Sequence, residues 1–172
     1  MNLESSPFFL TDLLRNGGIK LRLTGTRRDD VLEELVGLIP ELSGNAEARS
    51  TLLRALKERE QLHSTSIGDG VAIPHARNAL VGLVQRPVMV FGRHQEGINF
   101  GALDGDSTKL FFLIISPTVT QHLAVLARLS RLLRNPILRK HLLIADKNEK
   151  ALSLIQEAEA NAQFRPAPTH SI

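Results

Sequence analysis

Cysteine, tryptophan and tyrosine are absent from the 172-residue sequence. Without cysteine, disulfide frameworks, thiolate metal sites and a cysteine nucleophile are excluded. Aromatics make up 4%, all phenylalanine and mostly within apolar runs, and the formal charge is only +3. A nucleic-acid binder ordinarily presents a concentrated basic face with aromatics that stack on bases, so no nucleic-acid partner is expected. Long hydrophobic runs are missing too. The longest, LFFLII, falls far short of the roughly 18 residues of a membrane span, which argues against direct membrane insertion. The opening MNLESSPFFLTDLL has no basic n-region, and its apolar stretch is short and broken. No leader is expected there, and the expected location is cytoplasmic. A GxxxxGK[ST] phosphate loop is missing, as is a paired-carboxylate site for magnesium.

What is present is apolar periodicity. With 42% hydrophobic residues the chain is long enough for one domain with a sizeable core. SPFFLTDLLRN reads as a short helix, with Ser6-Pro7 as start signal and Gly17-Gly18 as stop. IKLRL alternates like a strand with one wet face. Val31, Leu32, Leu35, Val36 and Ile39 predict a helix that runs towards Pro40, and Asn45 caps a second helix through Leu62. GVAIPH, PVMVFGR and KLFFLIIS are strand candidates, the last apolar enough to be covered on both faces. TQHLAVLARLSRLLRN, NPILRKHL and KNEKALSLIQEAEA follow as helices. Residues 161–172 are expected to form a disordered tail. Helices around a few strands in mixed order imply an α/β fold: a single layered domain whose mixed parallel and antiparallel central sheet is flanked by helices.

The stretch EREQLHSTSIGDGVAIPHARN concentrates chemistry. Pro74 holds Ile73 extended and fixes its own torsion, which sets His75 at a rigid strand end. The glycines of SIGDG let backbone approach a ligand. Ser64, Thr65 and Ser66 offer hydroxyls, and Arg59 ends the preceding helix. Together they can surround an anion beside a nucleophilic ring nitrogen. His122 opens the stripe His122, Val125, Leu126, Leu129, Leu132, Leu133, close to a helix N-terminus that favours an anion. Each feature also has an ordinary reading: a hydrogen-bonded core histidine, turn-forming hydroxyls, an arginine in water. Arg128, Arg131 and Arg134 recur on the far face of that helix, as a solvated face or as a surface for an acidic partner.

STSIGDGVAIPHAR resembles the active-site segment of the enzyme IIA domains of the bacterial phosphotransferase system, in the fructose/mannitol and nitrogen-regulatory class. INFGALDGDSTKLFFLIISP and HLAVLARLSRLL are similar to the turn, strand and helix that follow in that family. IKLRLTGTRRDDVLEELVGLI is similar to its first strand and helix. The resemblance covers residues 8–155. It implies that His75 is phosphorylated, that His122 positions and stabilises the phosphoryl group, that Arg59 is the family's arginine, and that Ser64 and Thr65 bind phosphate. His63 and Ser66 stand where the family often has glycine.

The implied function is a phosphocarrier that takes a phosphoryl group from a histidine phosphocarrier protein. It then passes the group to a IIB domain or acts as a phosphorylation-dependent regulator, with the nitrogen-regulatory type favoured. No cofactor is implied, since the group is carried covalently on histidine. The alternative is a regulatory binding protein of the same fold that transfers nothing. A metal site built from His63, His75 and His122 matches no ligand spacing such as HExxH.

Overall fold

A computed structural model describes residues 8–77, 80 and 82–163. Helix α1 (Leu10–Asn16) buries Leu10, Leu13 and Leu14; the start signal expected at Ser6-Pro7 lies outside the described residues. The N-terminus of α1 is capped from far along the chain. Glu159 accepts the Leu10 N–H at 2.7 Å, the Thr11 N–H at 3.4 Å and the Thr11 hydroxyl at 3.0 Å. At Gly17 the chain turns into strand β1 (Gly18–Lys20). A Cβ there would lie 1.9 Å from the Met89 carbonyl oxygen, so only glycine can pass.

Helix α2 (Arg28–Val36) stops before Gly37, short of the expected limit at Pro40, where a 3-10 turn (Pro40–Leu42) stands instead. Helix α3 (Ala46–Leu62) begins at the expected cap, with Asn45 Oδ1 accepting the Ala48 N–H at 3.0 Å. Next come strands β2 (Ser66–Gly68), β3 (Val71–Ala72), β4 (Val88–Ile98) and β5 (Thr108–Ile115). Helices α4 (Val119–Leu132), α5 (Pro136–Ile144) and α6 (Asn148–Gln163) complete the chain. Helix α6 reaches three residues into the stretch expected as a tail, and residues 164–172 lie outside the described ones.

The sheet order is β1-β4-β5-β3-β2. β1 runs parallel to β4 and β3 parallel to β5, while β4/β5 and β2/β3 are antiparallel. The sheet is mixed, as the sequence predicts. Period-two alternation sends Met89, Phe91, Leu110, Phe112 and Ile114 to the face covered by α1, α4, α5 and α6. Val88, Val90, Phe111, Leu113 and Ile115 go to the face covered by α2 and α3. Phe91 and Phe112 are register partners, and their rings stack at 4.7 Å.

This topology also gathers chemistry at one end. β3 and β5 point the same way, and the Ile114 N–H donates to the Pro74 carbonyl at 3.1 Å beyond the end of β3. β5 leads into α4 through Ser116 to Thr118, and antiparallel β2 starts at that same end, with Ser66 opposite Ala72. Among the described residues no helix is long and apolar enough to cross a membrane.

Candidate functional site

His75 directly follows the extended run Val71–Pro74, and its Nδ1 lies 2.7 Å from the Ile73 carbonyl oxygen. A carbonyl only accepts, so Nδ1 carries the proton and the lone pair of the neutral ring is at Nε2. His122, in the first turn of α4, meets this ring at a centroid distance of 5.2 Å and an inclination of 46°. Both rings are half-buried. Burial pushes the His75 pKa below the ordinary imidazole value; the Ile73 carbonyl acts the other way, and the fields of His122 and Arg59 add to the lowering. Burial lowers His122 as well. Both therefore favour the neutral state near pH 7.

Arg59, in the last turn of α3, donates Nη1–H to the His63 carbonyl at 2.6 Å, and its charge reaches His75. The two hydroxyl residues are already engaged. Ser64 Oγ donates to the Phe100 carbonyl at 2.7 Å and accepts the Ser66 N–H at 3.1 Å. Thr65 is 5% exposed, and its hydroxyl donates to Glu60 Oε1 while its N–H donates to Glu60 Oε2 at 3.0 Å. Both hydroxyl hydrogens thus point at protein acceptors. The Thr65 carbonyl accepts the Ile73 N–H at 3.0 Å, which ties it to the strand end that bears His75.

Glu60 is the residue that sequence reasoning missed. It follows Arg59 in a charged helix end, where a carboxylate is expected in water, yet it is 4% exposed. The signal that could have found it is its place on the inner side of α3, eight residues after Leu52 and four after Leu56. His63 is exposed at the C-cap of α3. Among the described residues no group of three His, Asp or Glu gathers as metal ligands.

Arg128 departs from its expected place. It donates to the Phe8 carbonyl at 2.7 Å and lies 3.7 Å from Glu159, so it packs inward while Arg131 and Arg134 are exposed. Leu62, Val119 and Leu123 are each more than half exposed, at the ends of α3 and α4 that carry Arg59 and His122. A hollow of about 640 Å³ lined by Asp69, Glu96, Lys109 and Arg139 lies towards the opposite end of β5 and includes neither ring.

The chain matches a family model described as phosphoenolpyruvate-dependent sugar phosphotransferase system, EIIA 2, over residues 12–158. It is 34% identical over 150 residues to the fructose-specific EIIABC component of Bacillus subtilis, covering 86% of this chain but 23% of that protein. It is 33% identical to the fructose-specific EIIA component of Haloferax volcanii, covering 81% and 89%. A nitrogen regulatory protein of Bradyrhizobium diazoefficiens is 33% identical, with 77% and 85% covered. Among solved structures, the nitrogen regulatory protein IIA-Ntr of Neisseria meningitidis superposes with a TM-score of 0.72 at 28% identity, covering 85% of this chain and 98% of that one. Enzyme IIA mannitol of Escherichia coli, solved in complex with phosphorylated IIB mannitol, shares the fold with a TM-score of 0.68 at 20% identity, covering 81% and 94%.

Proposed function

The chain belongs to the EIIA 2 family of the phosphoenolpyruvate-dependent sugar phosphotransferase system, and on that premise we propose that His75 carries the phosphoryl group while His122 and Arg59 stabilise it. The observation that carries this reading is the Nδ1–H bond to Ile73, which leaves Nε2 as the free nucleophile beside a second imidazole.

The donor is a phosphohistidine on a histidine phosphocarrier protein. As the Nε2–P bond forms, the donor's N–P bond breaks and its electron pair returns to the donor ring. No proton needs to move, because Nε2 is unprotonated at the start. Nitrogen replaces nitrogen, so the step is readily reversible, and it uses no cofactor. The three phosphoryl oxygens spread negative charge through a loose transition state, which asks for donors and positioning. The Arg59 guanidinium and a His122 N–H supply those donors. Arrival of the dianion favours protonation of His122 and strengthens its hold. Ser64 and Thr65 belong to the proposed pocket. For either hydroxyl to donate to a phosphoryl oxygen, its present bond to Phe100 or Glu60 must be exchanged.

The acceptor is a IIB domain or a regulated target protein, met in the cytoplasm. Leu62, Val119 and Leu123 offer an exposed apolar collar suited to transient docking over one histidine. The nitrogen regulatory relatives support the regulatory type, and the fructose relatives support sugar uptake. A second reading, a regulator of the same fold that transfers nothing, stands on the same relatives.

One experiment tests the proposal and separates the two readings. Purified protein is incubated with phosphoenolpyruvate and the general phosphotransferase proteins. One acid-labile phosphoryl group per chain, lost in His75→Ala, is expected. An adduct retained in that variant, or no adduct on the native chain, rules out the carrier assignment.

A further inference from the structure

We propose that Glu60 is a positioning residue for His75, acting through Thr65 and the Ile73 carbonyl. This rests on the reading of His75 as phosphoryl acceptor and adds the device that fixes the acceptor's geometry.

Glu60 is 4% exposed and has no ion-pair partner among the described residues. Both carboxylate oxygens are spent on one residue: Oε2 takes the Thr65 N–H at 3.0 Å and Oε1 takes its hydroxyl. That two-point grip fixes both the backbone and the side-chain torsion of Thr65. From there the chain of bonds is backbone. The Thr65 carbonyl accepts from Ile73 at 3.0 Å, and the Ile73 carbonyl accepts from His75 Nδ1 at 2.7 Å. Helix α3 thus serves the site with two consecutive residues, Arg59, whose charge reaches His75, and Glu60, which holds Thr65.

A buried carboxylate with no cation at ion-pair distance is a poor source of stability, since desolvation opposes its charged form. Burial pushes the Glu60 carboxyl up, with the two Thr65 donors and then the fields of Arg59 and Arg28 acting in the other direction. Its bonds supply geometry: Glu60 sets where the Ile73 carbonyl stands, and that carbonyl sets the tautomer of His75.

The test uses the full chain labelled with ¹⁵N-histidine. The ring nitrogen shifts of His75, read where the ring is neutral, give the ratio of Nδ1–H to Nε2–H tautomers. Acceptance from the phosphorylated carrier protein gives kcat and KM. Glu60→Gln keeps the shape but turns an NH₂ group towards a Thr65 donor. It is expected to raise the Nε2–H fraction about three-fold and to lower kcat about ten-fold, with KM for the carrier unchanged. Thr65→Ser keeps both donors and is expected to leave the tautomer ratio unchanged. Thr65→Val loses the hydroxyl and is expected to shift the ratio in the same direction as Glu60→Gln. An unchanged ratio in folded Glu60→Gln, whether or not kcat falls, overturns the proposal. If Glu60→Gln does not fold, an unchanged ratio in Thr65→Val overturns it. The ratio is read without any phosphoryl transfer. A native chain that takes no phosphoryl group therefore refutes the acceptor reading, and the tautomer shift still decides the Glu60 link.

Discussion

The rings of His75 and His122 stand 5.2 Å apart, one at the end of the β3 strand run and the other in the first turn of α4. They are 47 positions apart in sequence and meet because β3 and β5 run parallel, so that the chain leaving each reaches the same end of the sheet. The first prediction concerns this pair. His122→Ala should slow phosphoryl acceptance about 10- to 100-fold. The fold should persist, because Val125, Leu129 and Leu132 still seat α4. The His75 pKa should rise, since one of the fields that depress it is removed. Transfer kinetics and an NMR titration of His75 check both effects.

A pH dependence follows from the same burial. Both rings titrate below 6.5 in the folded chain. As pH falls through 6.5 the unfolded chain binds protons first, so stability is lost from about there down through the folded values. Above 6.5 the two rings add no slope. Glu60, pushed up by burial, contributes with the opposite sign, so the histidine part is isolated by comparison with the His75→Gln/His122→Gln double variant. Urea midpoints between pH 7.5 and 5 should show a fall that is shallower in the double variant. The rate of acceptance should begin to fall at a lower pH than a freely exposed imidazole would impose, because burial keeps His75 neutral further into acid.

How much of this was legible in the sequence depends on the range of the interaction. The α4 stripe, the Asn45 cap and strand β5 are written in local spacing, and each formed where its pattern lies. The hairpin of β2 and β3 was not legible. SIGDG reads as a turn, and only two residue pairs with a register shift make it a ladder. The extension of β4 through its polar half is held by the Ile98–Thr108 pairing, which no local apolar pattern announces. Arg128 reads as part of a solvated face until α1 is placed beside α6, where it binds the Phe8 carbonyl while Glu159 binds the first N–H groups of α1. Within the site, the histidine at a strand end was legible because proline marks it. Glu60 was not, because its partner Thr65 lies past the helix end.

Arg93 gives a prediction about stability. At 8% exposed, it donates Nη1–H to the Leu142 and Ala145 carbonyls at 2.9 and 2.6 Å and Nε–H to the Leu21 carbonyl at 3.3 Å. It thereby satisfies carbonyls at the end of α5 from within β4. Arg93→Met keeps the bulk but strands those acceptors, and should cost about 2–4 kcal/mol. Urea unfolding measures it, with no change expected in the tautomer of His75.

Two buried threonines should respond in opposite directions to the same substitution. Thr108 Oγ1 has no hydrogen-bond partner among the described residues and the residue is fully buried, so Thr108→Val should be neutral or stabilising by about 1 kcal/mol. Thr11 donates its hydroxyl to Glu159, so Thr11→Val should destabilise by about 1–2 kcal/mol. Thermal midpoints of the two variants, taken side by side, decide it.

The central claim is that Nε2 of His75 receives the phosphoryl group because Nδ1 is held by Ile73. The most direct measurement is ³¹P–¹⁵N correlation on the ¹⁵N-histidine-labelled chain after phosphorylation by the carrier protein. Coupling of phosphorus to Nε2 of His75, with Nδ1 still protonated, is the predicted result. Coupling to Nδ1, or to a nitrogen of His122, would contradict it.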